Sequence, residues 1–219
     1  MIITNIARKK SKRPQSIIYV DGAHAFDLSD DVLVKFGLHV GDTLDEAKVE
    51  EIVTGEAQHR ALTLSVNYIS YRPRSTKEIV DHLRKKGFSV ELAKKVALHL
   101  QKKSLVNDAE FAAMFVRDRL KRKPIGTAML RQQLMTKGIA AHIIERVLGQ
   151  LVNTEDQERA AEELANKRLT LSGERFAQLE PAKRKRRLFE YLLRRGFSTD
   201  IATKTVRNLF ARQPEGRAA

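Results

Sequence analysis

The chain of 219 residues contains no cysteine and no tryptophan, and only 5 of its residues are proline. Without cysteine it has neither disulfides nor thiolate metal sites, which agrees with a reducing compartment. It has no apolar run of about 18 residues, the length that a membrane-spanning helix needs. The first residues, MIITNIARKKSKRP, also lack the apolar segment of a signal peptide. We therefore expect a cytoplasmic protein with no membrane partner.

The motifs that mark common catalytic and cofactor sites are missing as well. The sequence has no Gly-Lys dipeptide, which a P-loop requires, and no GxGxxG or GxSxG pattern. The histidines are scattered and none belongs to an HExxH metal motif. They are His24, His39, His59, His82, His99 and His142. The sequence predicts a protein that is not an enzyme and that has no metal and no cofactor.

Positive charge is the strongest compositional signal, and it is unevenly distributed. The net charge is +14, but residues 1–56 hold only 7 of the 41 Lys and Arg and 10 of the 27 Asp and Glu. Residues 57–219 therefore hold 34 basic and 17 acidic side chains, a net charge of +17. Such density favours a nucleic-acid or nucleoprotein partner, because basic side chains displace counterions from phosphates. The alternative is a solvated basic exterior without a specific partner.

A rhythm of proline and glycine divides the basic region into three repeats. In each repeat a proline is followed 14 or 15 residues later by a glycine. The pairs are Pro73 and Gly87, Pro124 and Gly138, and Pro181 and Gly196. Since proline is typical of helix starts and glycine of helix ends, the rhythm predicts one structural unit that occurs three times.

Apolar residues keep the same positions relative to each glycine. Four and eight residues before the glycine stand Leu83, Leu134, Leu192, Ile79, Leu130 and Leu188. One, five and thirteen residues after it stand Phe88, Ile139, Phe197, Leu92, Ile143, Ile201, Leu100, Leu151 and Leu209. Spacings of four mark one face of a helix, and an apolar residue directly after the glycine is typical of a left-handed helix end. Each glycine is therefore predicted to join two amphipathic helices.

The predicted fold is mainly α, an elongated and curved tandem array of three three-helix repeats with a small N-terminal cap. The first helices of the repeats are expected near 57–71, 108–122 and 155–168. The predicted segments are a flexible basic arm (1–13), a β-hairpin and short helix cap (14–56), three repeats (57–107, 108–153 and 154–210) and a disordered tail (211–219).

The cap is predicted from a turn signal and from apolar spacing. Asp21-Gly22 between two β-rich segments indicates a type I′ hairpin, and a short helix is expected over Asp30 to Phe36. From Leu44 onward the chain turns helical, with Val49 and Ile52 as further apolar contacts. The segment either covers the end of the repeat array or binds a partner, and capping is the preferred interpretation.

Two clusters of basic residues are the candidate binding sites. The first is Arg117, Arg119, Lys121, Arg122 and Lys123. The second is Lys183, Arg184, Lys185, Arg186 and Arg187, continued by Arg194 and Arg195. The first lies near a helix C-terminus, where the helix dipole favours cations; the second begins near a helix N-terminus, where it does not. Basic residues at the helix end that the dipole disfavours are the better candidates for function. The alternative is a solvent-exposed basic surface that binds nothing.

Aromatic residues make up only 6% of the chain, so Tyr68, Tyr71 and Tyr191 form a poor platform for bases.

Five strings in order resemble the RecX family of bacterial recombination regulators. They are AL at 61–62, YRPRS at 71–75 followed by EIVDHLRKKGF, LVNDAEFA at 105–112 with Arg117 and Arg119 beyond it, LRQQLMTKGI at 130–139, and KRRLFEYLLRRGF at 185–197. The resemblance runs from about Ala57 to Phe210. Two departures are Asn107-Asp108, where the family often has two acids, and the N-terminal hairpin segment, which not all members share.

The resemblance implies a partner and an activity. Members of the family bind the RecA recombinase filament on single-stranded DNA, lie along its groove and restrain the recombinase. It therefore implies a monomeric, non-enzymatic regulator in DNA repair. The implied partners are the RecA filament, single-stranded DNA and, as a further ligand, duplex DNA. Two other functions remain open: autonomous DNA binding through helix-turn-helix-like units, and a protein scaffold of helical repeats.

Overall fold

The computed structural model describes residues 1–10, 14–171 and 178–211, which form two compact units. The first comprises Met1–Pro73 and Ile79–Leu105, and the second comprises Arg74–Glu78 and the chain from Val106 onward. The strands are β1 (Ile3–Arg8), β2 (Gln15–Val20) and β3 (Ala23–Ser29). The helices are α1 (Asp30–Phe36), α2 (Glu46–Ser70), α3 (Thr76–Lys85), α4 (Val90–Lys102), α5 (Asp108–Arg122), α6 (Thr127–Thr136), α7 (Ala141–Leu151), α8 (Thr154–Leu171), α9 (Pro181–Arg194) and α10 (Thr199–Ala211).

The N-terminal strands form an antiparallel sheet in the order β1-β2-β3. Asp21 and Gly22 connect β2 to β3 with φ of 51° and 85°, the two positive values that a type I′ turn requires. The prediction of a flexible arm over 1–13 is wrong for Ile3–Arg8, which is a paired strand. Pairing with β2 satisfies the backbone of β1, and Ile3 is fully buried in the core. Residues 11–13 of that arm lie outside the described residues.

The core of this cap packs the sheet against two helices. Ile3, Ile18 and Leu28 from the strands meet Val32 of α1 and Ile52 of α2 in one buried cluster. The short helix predicted over Asp30–Phe36 is α1, and its end at Gly37 has the left-handed φ of 60°.

The helical stretch predicted from Leu44 onward and the first-repeat helix predicted near 57–71 form one helix, α2. It starts at Glu46, where the Asp45 side chain accepts a hydrogen bond from the backbone N–H of Lys48 at 2.7 Å. The boundary drawn at residue 57 therefore falls inside a continuous helix of 25 residues. Leu44 and Ile52, predicted as apolar contacts of this stretch, are both buried.

The three predicted glycine turns are confirmed in the backbone. Gly87, Gly138 and Gly196 have φ of 89°, 78° and 87°, in the left-handed region that disfavours other residues. The N–H that follows each glycine donates to the carbonyl of the leucine four residues before the glycine, at 3.1–3.2 Å, as in a Schellman motif. Of the three prolines only Pro181 is the first residue of its helix, whereas α3 and α6 begin three residues after Pro73 and Pro124.

The buried positions confirm the repeat, with one shift in register. All six Leu and Ile positions before the glycines, from Ile79 to Leu192, are fully buried. After the glycine, the residue five positions on is only half-buried, and the next one, Ala93, Ile144 or Ala202, faces the core. In the first and third repeats the buried residue is an alanine, so the apolar pattern points instead to the larger Leu92 and Ile201 beside it.

Within the second unit, each glycine turn contacts the start of the middle helix of the preceding repeat. The backbone N–H groups of Gly126 and Ala128 donate to the carbonyls of Arg195 and Gly196 at 2.9 and 3.0 Å. No side chain fits here, because a Cβ on Gly126 would lie 1.9 Å from the backbone carbon of Gly196. This backbone contact fixes the third repeat against the second.

The start of α3 makes the corresponding contact. Ser75, which is fully buried, donates from its hydroxyl to the carbonyl of Lys137 at 2.7 Å. Lys77 donates to the carbonyl of Thr136 at 3.0 Å, and the Lys137 ammonium lies 2.7 Å from Glu78. Ser75 and Gly126 stand twelve residues before their own glycines, so the two contacts use equivalent positions.

The following repeat also caps each of these helix starts with a side chain. Asp108 accepts a hydrogen bond from the N–H of Thr76 at 2.8 Å. Gln157 accepts from the N–H of Thr127 at 3.1 Å and donates to the carbonyl of Ile125 at 3.2 Å. Gln157 is buried, so these bonds satisfy its amide away from water. Helices α3 and α6 therefore obtain their caps from residues of the next repeat.

We predict that Gly126→Ala destabilises the protein by about 2 kcal/mol or more, because the new methyl group overlaps the backbone of Gly196. Denaturant unfolding monitored by circular dichroism measures the change. The matched control is Gly149→Ala in α7, where a Cβ has no neighbour within 4 Å. That control is expected to stabilise the protein by about 0.5–1 kcal/mol, since alanine favours a helix interior. Equal effects of the two substitutions would contradict a backbone contact at Gly126.

Candidate nucleic-acid interface

The first basic cluster lies along the last turns of α5, and two of its members are engaged locally. The Arg119 guanidinium lies 4.9 Å from the centre of the Phe115 ring, a cation–π contact. Arg122 donates to the Asp118 carboxylate at 2.8 Å. Arg119 and Arg122 are therefore partly explained by the helix itself.

The other members of that cluster are Arg117, Lys121 and Lys123, and all are exposed. Arg117 and Lys121 are one helical turn apart on the same face. Among the described residues none of the three forms an ion pair with a carboxylate. Their charge is available to an external ligand.

The second cluster lies on α9, and two of its cations form exposed ion pairs. Lys183 lies 3.4 Å from Glu180, and Arg186 lies 2.9 Å from Glu190. The side chains of Lys183 and Arg186 are 66% and 81% exposed, so these pairs contribute little and yield readily to a stronger anion.

Arg184 and Lys185 instead approach the ring of Phe210 on α10. Their cationic groups lie 5.8 and 5.5 Å from the ring centre. The Nε of Arg184 is buried and has no hydrogen-bond partner among the described residues. Arg184 thus packs along the α9–α10 contact and presents less of its charge to solvent than its neighbours do.

Three cations of α9 share one solvent-facing stripe. Lys183, Arg187 and Arg194 are spaced by four and seven residues, and all are exposed. They lie opposite the fully buried Leu188 and Leu192. We call Lys183, Arg187 and Arg194 the outer α9 face.

Arg195 has a structural contact that the sequence did not reveal. Its guanidinium donates to the carbonyl of Pro124 at 3.0 Å. This bond brings the ends of the two basic clusters together, because Lys123 precedes Pro124 and Arg194 precedes Arg195. The two clusters, distant in sequence, therefore meet at one joint between repeats.

Neighbouring cations outside the clusters are neutralised by carboxylates. Arg131 forms a two-pronged pair with Glu145 at 2.6 and 2.8 Å, and this hydrogen bonding lowers the pKa of Glu145 and raises the pKa of Arg131. Lys204 binds Glu158 at 2.6 Å. By contrast, Arg187 and Arg194 of the outer α9 face form no ion pair among the described residues.

Sequence analysis missed one further cation, Arg207 of α10. It lines a groove between α9 and α10 together with Lys185 and Arg186. It belongs to no basic run, so only its position on the α10 face turned toward α9 could have revealed it. The groove adds a basic surface distinct from the outer α9 face.

Two of the three tyrosines considered for base stacking are engaged by neighbouring side chains. Tyr68 stacks on His82 with ring centres 4.0 Å apart, and Arg168 lies 5.4 Å from the Tyr191 ring centre. Tyr71 is 86% exposed. Cations, and not aromatic rings, dominate the candidate interface.

In the part of the chain that the structure describes, three or more His, Asp or Glu residues nowhere assemble into a cluster fit for a metal ion. The helices of that part also include none with the length and apolar character needed to cross a bilayer.

The three repeats coincide with three family models. These describe the first, second and third three-helix domains of RecX, and they match residues 61–100, 107–148 and 155–206. The chain belongs to the RecX family. The sequence-based assignment to this family is therefore confirmed, as is the prediction of a mainly helical fold with three three-helix repeats and a small N-terminal cap.

Individual RecX proteins are similar over most of their length. The regulatory protein RecX of Bacillus subtilis (strain 168) is 35% identical over 204 residues, which cover 93% of this chain and 75% of that protein. The regulatory protein RecX of Bacillus licheniformis is 33% identical over 204 residues, with 93% and 76% covered. These relatives are named as regulators.

Two solved structures have the same fold. A crystal structure of a regulatory protein RecX superposes with a TM-score of 0.76 at 28% identity, covering 94% of this chain and 98% of the other. RecX from Lactobacillus salivarius gives a TM-score of 0.63 at 25% identity, covering 72% and 99%. The arrangement of three-helix repeats is thus shared within the family.

We predict that the neighbouring cations Arg194 and Arg195 differ in their effect on stability. Arg195→Gln removes the bond to the Pro124 carbonyl and should lower the free energy of unfolding by about 1 kcal/mol. Arg194→Gln, the matched control, removes an exposed charge and should change it by less than about 0.5 kcal/mol. Thermal unfolding of both variants measures the difference, and equal melting temperatures would rule out a structural role for Arg195.

Proposed function

We propose that this RecX family protein regulates the RecA recombinase by binding RecA–DNA filaments. In this proposal it slows RecA ATP hydrolysis and strand exchange during recombinational DNA repair. It acts as a cytoplasmic, non-enzymatic monomer that contacts both the recombinase and the single-stranded DNA. Its affinity for duplex DNA is lower than its affinity for single-stranded DNA.

The outer α9 face is the observation that carries the proposal. Its three cations are exposed and lie on one side of a helix, where a row of phosphates or carboxylates can meet all of them. Lys183 has only a weak, exposed partner in Glu180. The Arg195–Pro124 bond places the C-terminal end of α9 beside the residue that follows Lys123 at the end of α5.

A filament is a fitting target for such a surface because it presents polyanion and protein together. Binding the filament but not free subunits shifts the equilibrium toward one filament state. A regulator that contacts adjacent subunits opposes the subunit movements that ATP hydrolysis and strand exchange require. Inhibition then follows from differential binding, without any catalytic group.

Autonomous recognition of duplex DNA is the alternative, with α4, α7 and α10 as recognition helices. In α7 the exposed Glu145 is paired with Arg131, and in α10 Lys204 is paired with Glu158. The exposed acid of α7 and the neutralised Lys204 of α10 make these two helices less favourable for close approach to DNA. These contacts favour the filament proposal over direct reading of bases.

We predict that a triple variant of the outer α9 face, Lys183→Gln with Arg187→Gln and Arg194→Gln, binds RecA filaments on single-stranded DNA about tenfold or more weakly. The loss of three phosphate contacts should also reduce the slope of log affinity against log salt by about 2. Co-sedimentation with filaments over a salt series measures both quantities. The RecA ATPase should recover at protein concentrations that inhibit it with the parent protein.

The matched control is Lys94→Gln with Lys95→Gln and Lys103→Gln, which removes the same charge from exposed positions of α4 and its end. It should keep most of the filament affinity. If both triple variants bind as the parent does, the basic residues act only as solubility charge. If the parent neither sediments with filaments nor slows the ATPase, the proposed function is wrong. Sequence-specific duplex binding that survives high salt would support autonomous DNA recognition instead.

A further inference from the structure

A groove between α9 and α10 combines a basic rim with an apolar floor. The rim is formed by Lys185, Arg186 and Arg207, and the floor includes Phe189, Val206 and Phe210. All of these residues belong to the second unit. We call this feature the α9–α10 groove.

The charge of the groove is of one sign. Among the described residues, its lining contains three cations and no carboxylate. Arg186 pairs with Glu190 outside the lining, but that contact is exposed and yields to a competing anion. Arg207 is exposed and forms no ion pair among the described residues. A ligand of the rim must therefore carry negative charge.

The apolar floor favours a ligand that carries an apolar group beside its negative charge. Phe189 and Phe210 are half-buried, so part of each ring is accessible from solvent, while Val206 is buried. The ring of Phe210 is already approached by the cations of Arg184 and Lys185. An apolar side chain placed on Phe189 is removed from water and lies beside the cations that flank Phe210.

The preceding repeats differ from the third at the position of Lys185. Thr76 and Thr127 stand where Lys185 stands relative to the glycine turn. The N–H of Thr76 donates to the carboxylate of Asp108 at 2.8 Å, and the N–H of Thr127 donates to the amide oxygen of Gln157 at 3.1 Å. Both threonines are the first residue of their helix, whereas Lys185 is the fifth residue of α9, so its side chain lines the groove without a backbone cap of this kind.

We propose that the α9–α10 groove binds a short acidic peptide segment of a partner protein, one in which an apolar side chain lies next to carboxylates. The carboxylates bind Lys185, Arg186 and Arg207, and the apolar side chain rests on the phenylalanine floor. This site goes beyond the proposed function, because it requires neither DNA nor a filament.

Other occupants match the groove less well. The sequence of residues 212–219, RQPEGRAA, has one acid against two arginines and no large apolar residue. A second copy of the chain carries the same net charge of +14, so repulsion opposes its approach. Complementarity of charge thus favours an acidic partner.

The test is fluorescence anisotropy with a labelled synthetic peptide of four aspartates followed by Leu-Phe, titrated with the full chain. We expect saturable binding that weakens with salt. Replacing Leu-Phe by Ser-Ser, or the aspartates by asparagines, should each weaken binding about tenfold or more. Arg207→Ala should weaken it by a similar factor. The matched control Lys94→Ala removes an exposed cation from α4 and should leave the affinity unchanged.

Thr203→Tyr separates this site from the outer α9 face. Thr203 is exposed in the wall of the groove, so tyrosine should fill the groove without altering charge or folding. We expect Thr203→Tyr to lose peptide binding and to keep binding to single-stranded DNA and filaments. An unchanged melting temperature confirms that the variant is folded.

Three outcomes would overturn the proposal. The first is peptide binding that is absent, or that is equal in the parent, Arg207→Ala and Thr203→Tyr. The second is equal loss of DNA binding in Thr203→Tyr together with displacement of the peptide by an oligothymidine, which would make the groove a nucleic-acid site. The third is concentration-dependent dimerisation that Thr203→Tyr abolishes, which would assign the groove to a second copy of the chain.

Discussion

The positive φ of the glycine that ends each middle helix is the constraint on which the repeat architecture depends. Gly87, Gly138 and Gly196 turn the chain so that the next helix packs back against the same leucines. The turn also exposes carbonyls, and in the second unit those of Lys137 and Arg195 accept hydrogen bonds from the preceding repeat. One backbone conformation therefore shapes both the inside of a repeat and the contact between repeats.

The sequence predicted what depends on local chemistry. Glycine position, leucine spacing and the Asp21-Gly22 turn each correspond to one backbone geometry, and all were confirmed. Strand β1 was missed because ITNIAR has a weak apolar pattern and is stabilised by pairing with β2, a contact between distant parts of the chain. The continuity of α2 across residues 56 and 57 was missed because the repeats alone guided the segment boundary.

The candidate site could be predicted only in part from the sequence, because it too depends on contacts between distant parts of the chain. A run of basic residues in the sequence does not show that Arg195 donates to the Pro124 carbonyl while its neighbour Arg194 is exposed. It also omits Arg207, which reaches Lys185 and Arg186 only because α9 and α10 pack side by side. Charge density predicts that a surface is basic, whereas tertiary contacts decide which cations remain available to a ligand.

The caps of α3 and α6 have a consequence for how the chain folds during synthesis. Asp108 and Gln157 follow the helices that they cap by about 30 residues, and the glycine turns that complete these contacts come later still. A chain that leaves the ribosome N-terminus first therefore cannot finish the start of α3 or α6 until the next repeat has emerged. Each repeat completes the one before it, so folding advances along the chain in overlapping steps.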